Sequence, residues 1–216
     1  MGNGRGTPQA RVSNSAQEFD RVLASRRMCR DFTAKEIEPG LLNKVLLAAF
    51  RGPSAGNTAA IELLVLSQPQ VAQYWSLTLA EEKRESFPWP GLLKAPTLVI
   101  PLVRPSAYQE RYQEQDKAHT GLGDSLKAWQ VPYWYVDGGA GLMGLLLAAE
   151  AAGLGALFFG QFQHEHAVTT AFGVPEDYRA LGTVALGWPN LGGRKPSVSA
   201  ARGRVDPELL IHHQSW

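Results

Sequence analysis

The stretch from Asp137 to Gly160 reads DGGAGLMGLLLAAEAAGLGALFFG. From Gly138 to Ala152 it is apolar at nearly every position, and Glu150 is its one charged residue. A helix apolar on all sides has no face to give to water, so it belongs inside a core or at a subunit interface. Gly153-Leu154-Gly155 ends that helix, and Leu157–Phe162 reads as a strand of large apolar residues. A dinucleotide-binding turn needs the opposite order, strand first and helix second. Its third glycine is also replaced here by Phe158, so that reading fails.

Working outward, His164–Phe172 reads as a helix and Leu181–Leu186 as the last internal strand. Upstream, Ala16–Ser25 is a short helix with Phe19, Val22 and Leu23 on one face. Pro39 starts a second helix over Gly40–Phe50, with Leu41, Leu42, Val45, Leu46 and Ala49 at helical spacing. A small-residue loop, Gly52–Asn57, leads to a strand over Ile61–Ser67, a helix from Pro69 to about Glu85, and a strand over Thr97–Val103. Arg104–Trp134 reads as irregular, polar and aromatic, the character of a binding loop. This order is α+β rather than a regular βαβ winding. No repeat or linker divides the chain, so residues 16–216 are expected to form one domain behind a flexible tail of residues 1–15.

With 216 residues the chain can bury a core without disulfides or metals. Lys+Arg 21 against Asp+Glu 20 leaves a net charge of +1, which offers no bulk attraction to nucleic acid or to a membrane surface. Cys29 is the single cysteine, so internal disulfides and CxxC redox pairs are excluded. The Gly-, Arg- and Asn-rich start lacks the apolar run of a signal peptide, and Ala140–Ala149 is too short to span a bilayer. A cytoplasmic protein without nucleic-acid or membrane partners is expected.

Gly52-Pro53-Ser54-Ala55-Gly56 matches the G-x-S-x-G elbow of serine hydrolases. That chemistry requires a strand before the serine and a helix after it, whereas here the helix comes first, so a plain turn is the better reading. The pairs His164/His166 and His212/His213 lack the i, i+4 spacing of a helical metal site, and no metal is expected. Arg26, Arg27 and Arg30 cluster in one loop, with Arg202 and Arg204 in another. Alone these are solvated basic loops; brought together they would suit a phosphate, which guanidinium forks bind strongly and directionally.

Taken in order, these pieces resemble the FMN-dependent nitroreductase family. Arg26–Phe32 is similar to its Arg-Arg-Ser-x-Arg-x-Phe loop and Ala48–Asn57 to its Ala-Pro-Ser-x-x-Asn loop. Asp137–Gly160 is similar to its long central helix and following strand, Ala185–Pro189 to its late strand ending in Gly-x-Pro, and Arg202-Gly203-Arg204 to its C-terminal basic pair. The resemblance implies a mostly antiparallel sheet flanked by helices in an intertwined homodimer, with FMN in clefts at the interface. It implies that Arg26, Arg27, Arg202 and Arg204 hold the phosphate and that Arg30 lies toward the ribityl chain and pyrimidine edge. Pro53, Ser54, Ala55 and Asn57 would come from the partner, and Phe158, Phe159, Gly160 and Gln161 would pass along the flavin, with a backbone N–H near Gly160 facing N5.

The implied activity is an NADPH- or NADH-dependent ping-pong reduction of nitroaromatic, quinone or similar flat acceptors. Relatives with dehydrogenase, dehalogenase or flavin-fragmenting roles supply the alternative within the fold, and a Ser54 hydrolase the alternative outside it. Met28 stands where the family has a serine, and Ala59-Ala60 where it has a polar residue and proline. Trp129, Tyr133 and Trp134 are candidates for a substrate lid, with core packing as their other role.

Overall fold

The computed structural model describes residues 14–59, 61–193, 202–203 and 205–216. The expected tail over its first thirteen residues, Ala60 of the Ala59-Ala60 pair, and Arg204 lie outside them. Helix α1 (Asn14–Ser25) leads into α2 (Pro39–Leu47), which tightens into a 3-10 turn over Ala48–Arg51. The start of α2 is over-determined. Pro39 needs no N–H partner at the first helical position, and the Glu38 carboxylate accepts from Gly40 N at 2.9 Å and Leu41 N at 2.8 Å. Those two N–H groups hold the Glu38 carboxyl below its ordinary pKa.

Strand β1 (Ile61–Leu66) is followed by α3 (Gln70–Thr78) and α4 (Glu81–Arg84), then β2 (Thr97–Val103) and α5 (Pro105–Tyr112). Helix α6 (Tyr133–Ala151), β3 (Gly155–Phe159), α7 (Glu165–Ala171), β4 (Arg179–Ala180) and β5 (Thr183–Gly187) complete the order. The sheet runs β1-β2-β5-β3 with every strand pair antiparallel, and β4 continues the β5 side of β2. Gly182, at φ +142, separates β4 from β5; a Cβ there would stand 2.6 Å from Phe159 O. The two central strands are buried at every residue, because both faces are covered. Leu98, Ile100 and Ala185 face one core with α3, and Val99, Val184 and Leu186 face the other with α2 and α6.

Three expectations need correction. The helix from Pro69 to about Glu85 is two helices, broken where Leu79 turns extended at φ −140 and ψ 103. Arg104–Trp134 is less irregular than its composition implies, since Pro105 starts the two-turn helix α5 and buries Ala107 and Tyr108. The central helix begins at Tyr133, so Tyr133 and Trp134 form its first turn instead of ending a loop. Within one chain α6 leaves Val136 and Met143 exposed on one face.

Candidate active site

The Arg26–Phe32 loop is stitched to the sheet edge by backbone bonds. Met28 bridges Ala156 in parallel fashion, and Cys29 N donates to Ala156 O at 2.8 Å. Phe32 N donates to Gly91 O, Thr33 N to Trp188 O and Asn190 N to Asp31 O, all within 3.1 Å. Arg27 turns back on α1, donating from one guanidinium nitrogen to Ala24 O at 2.7 Å and Arg26 O at 2.8 Å. It thereby caps the carbonyl end of the helix with positive charge. The Arg26 guanidinium carries a buried nitrogen, Nη1, with no hydrogen-bond partner among the described residues. Met28 packs its thioether against both main cores, where a serine would offer a hydroxyl.

Beyond β3, Gly160 and Gln161 lead into a 3-10 turn over Phe162–His164. A cleft of about 330 Å³ lies here, lined among others by Arg30, Trp75, Trp89, Phe159, Gly160 and Gln161. Trp75 stacks on Phe159 with centroids 5.9 Å apart and planes 8° from parallel. The Arg30 guanidinium stands 5.2 Å from the centre of the Trp89 ring, a cation–π contact that steadies the cationic head at the mouth. Phe162 sits at φ +48 with its side chain almost fully exposed, its ring tip over Gly160.

Arg30, Phe158, Phe159, Gly160 and Gln161 therefore meet in one cleft. Pro53, Ser54, Ala55 and Asn57 do not line it in the single chain. Their loop is clamped at the junction of α5 and α6, where Asp137 Oδ2 accepts from Ala55 N at 2.7 Å and from the Tyr108 hydroxyl at 2.8 Å. Arg111 Nε donates to Gly56 O at 2.8 Å from the other side. Burial, followed by the Asp137 carboxylate, pushes the Tyr108 hydroxyl far above its ordinary pKa. Ser54 precedes a 3-10 turn with β1 after it, so the strand-turn-helix of a hydrolase elbow is not formed.

Replacing Asp137 by alanine should strand the buried Tyr108 hydroxyl and the half-buried Ala55 N–H and cost about 2–4 kcal/mol, whereas Asp137→Asn, which keeps an acceptor oxygen, should cost less. Urea midpoints of the two variants check this ordering.

Trp129 and Trp134 are buried in a third cluster with Tyr108, and none of Trp129, Tyr133 and Trp134 lines the cleft of the single chain. Tyr133 is exposed. Arg202 is exposed. The aromatic wall that the cleft does have, Trp75, Phe87 and Trp89, escaped the sequence reading. The available signal is the density of aromatics between Tyr74 and Trp89, in and just after the segment read as a helix to about Glu85.

Comparison with known proteins agrees with this fold. A protein of Archaeoglobus fulgidus, provisionally named NADH dehydrogenase/NAD(P)H nitroreductase, is 23% identical over 93% of this chain and 99% of its own. The NADH dehydrogenase of Thermus thermophilus is 27% identical over 76% of this chain and 83% of its own. Among solved structures, the NADPH:FMN oxidoreductase of Vibrio harveyi superposes with a TM-score of 0.65 at 16% identity, covering 92% of this chain and 78% of that one. The model of the nitroreductase family matches residues 23–188, from the end of α1 to the turn after β5. That span contains the arginine loop, both covered faces of the sheet and the whole cleft. The chain belongs to the nitroreductase family and is an oxidoreductase.

Proposed function

We propose that this protein is an FMN-dependent NAD(P)H oxidoreductase that acts as a homodimer and reduces flat acceptors such as quinones and nitroaromatics. The observation that carries the reading is the buried Nη1 of Arg26, unpaired among the described residues, in a loop hydrogen-bonded to the edge of β3 whose Arg30 lines the cleft. A buried guanidinium nitrogen without a partner is costly, and a phosphate oxygen would satisfy it. The residues present therefore fit FMN. Arg26 would hold its phosphate and Arg30 would favour negative charge on the ring edge. When bound, the flavin supplies the two-electron carrier that no side chain offers.

Within this scheme the protein binds, orients and excludes water. Trp75 and Phe159 make a rigid apolar wall, while Arg30 supplies charge that needs no reorganisation. NAD(P)H and acceptor would use one cleft in turn, which is ping-pong order. The loop Pro53–Asn57 would complete the site of a second copy, a reading supported by its not lining the cleft of its own chain and by the apolar surface left exposed on α6.

The test is the visible spectrum of the purified protein, followed by anaerobic NADPH. A flavin spectrum that bleaches supports the reading. A colourless protein that ignores added FMN ends it. Arg26→Ala should weaken FMN binding about tenfold or more while leaving the melting temperature of the flavin-free protein unchanged or higher, because it removes an unpaired buried donor. Flavin fluorescence on dilution reads the first effect and calorimetry the second.

A further inference from the structure

Gln161 is 5% exposed and sits at the end of a polar chain that crosses three elements of the fold. Its Nε2 donates to Thr183 Oγ1 at 3.0 Å, and the Tyr74 hydroxyl lies 2.8 Å from the same Thr183 oxygen, in a bond that either hydroxyl can donate. Thr183 and Tyr74 are both buried, and burial pushes the Tyr74 phenol up to about 12, so it remains a neutral hydroxyl across the working pH range. The remaining amide atom, Oε1, is buried and has no hydrogen-bond partner among the described residues. Gln161 lines the cleft, where an apolar side chain of similar size would fill the space without leaving a polar atom unpaired. An amide tethered at one end and unpaired at the other is arranged for a ligand.

We propose that Gln161 is a reversible hydrogen-bond partner for the group bound in this cleft, presenting its carbonyl or its NH2 as that group changes from acceptor to donor on reduction. The inference rests on the flavin reading above. It follows from the symmetry of the tether. With the amide NH2 donating to Thr183 and Thr183 to Tyr74, the carbonyl oxygen is left for the ligand. With Tyr74 donating to Thr183 and Thr183 to the carbonyl, the NH2 is left instead. Two hydroxyl rotations and one amide rotation convert these arrangements, and the tether is kept in both.

A redox-active ring needs this versatility. Uptake of a hydride, two electrons with one proton from NAD(P)H, turns a ring nitrogen that accepts a hydrogen bond into an N–H that donates one. A fixed acceptor or a fixed donor would favour one state and leave a buried mismatch in the other. A reversible amide serves both and leaves their balance unbiased.

The test uses the full-length holoprotein and its Gln161→Met variant. Two quantities are measured, the affinity for oxidised FMN and the midpoint potential of the bound flavin; the affinity for reduced FMN follows from the cycle. Gln161→Met should weaken oxidised FMN about tenfold with the potential unmoved, which means that both states lose equally. A potential that shifts with the affinity of one state alone would show a fixed amide and overturn the proposal. An unchanged affinity and potential would overturn it too.

Independently of that variant's stability, the wild-type reduced-minus-oxidised infrared spectrum should carry a side-chain amide carbonyl band that moves on labelling with 13C-glutamine. Thr183→Ser, which keeps the tether, should retain that band, and its absence from wild type would count against reversal. A wild-type protein that binds no FMN would instead fail the flavin reading itself.

Discussion

Alanine at Gly91 is expected to cost about 3 kcal/mol of stability and to remove most FMN binding with it. Gly91 is buried in the 3-10 turn Pro90–Lys94, beneath the arginine loop. A Cβ there would stand 2.0 Å from Asp31 Oδ1, 2.6 Å from Asp31 Cγ and 2.9 Å from Asp31 Cα. The carboxylate could rotate away, but the Cα belongs to the backbone, so the loop itself must move. It is not free to do so. Phe32 N donates to Gly91 O at 3.1 Å, while Asn190 holds Asp31 through the backbone at 2.9 Å and the side chain at 3.2 Å. Displacement would also draw Arg30 off the Trp89 ring two residues before the glycine. Urea unfolding and flavin fluorescence read the two losses. Full stability with normal FMN affinity would mean that the loop yields cheaply and is not the rigid wall described here.

The sequence carried the regular elements well and the cleft poorly, for identifiable reasons. Helix α2, strands β1 and β2, and the α6–β3 unit announce themselves through Pro39, apolar periodicity and the Gly153-Leu154-Gly155 stop, which are local signals. Helix α5 was hidden because its polar composition masks a short buried face, although Pro105 at its first position was a usable start signal. The break between α3 and α4 has no glycine or proline to mark it; Leu79 turns extended there and packs against the core. The arginine loop, Gly160 and Gln161 were legible through family resemblance. Trp75 and Trp89 were not, because their role arises from tertiary placement against Phe159 and Arg30. Trp129 and Trp134 show the converse. Aromatic density suggests a lid or core packing, and within the single chain the two rings pack edge-on around Tyr108.

The double replacement Val136→Glu and Met143→Glu is expected to turn a dimer into monomers and to release FMN in the same step. On α6, Val136, Gly139 and Met143 recur at spacings of three and four residues, so they share one face. Val136 is 51% and Met143 41% exposed, and a Cβ on Gly139 would meet nothing within 4 Å. The elements packed beside α6 carry further exposed apolar side chains, Phe19 and Leu23 on α1 and Leu47 and Phe50 at the end of α2 and its 3-10 turn. So many large side chains left in water on adjoining helices mark an interaction surface. Its occupant is taken to be a second copy because the Pro53–Asn57 loop, tied to α6 through Asp137, does not line the cleft of its own chain.

Two carboxylates at the centre of such a face would have to be desolvated without partners, which costs more than one exposed apolar patch can return. The mass in solution and the bound flavin, followed by light scattering and absorbance on one column, separate the possible outcomes. Monomers without flavin support a site built by two chains. Monomers that keep FMN at wild-type affinity would place the whole site within one chain, and a wild type that is already monomeric would remove the second copy from the scheme.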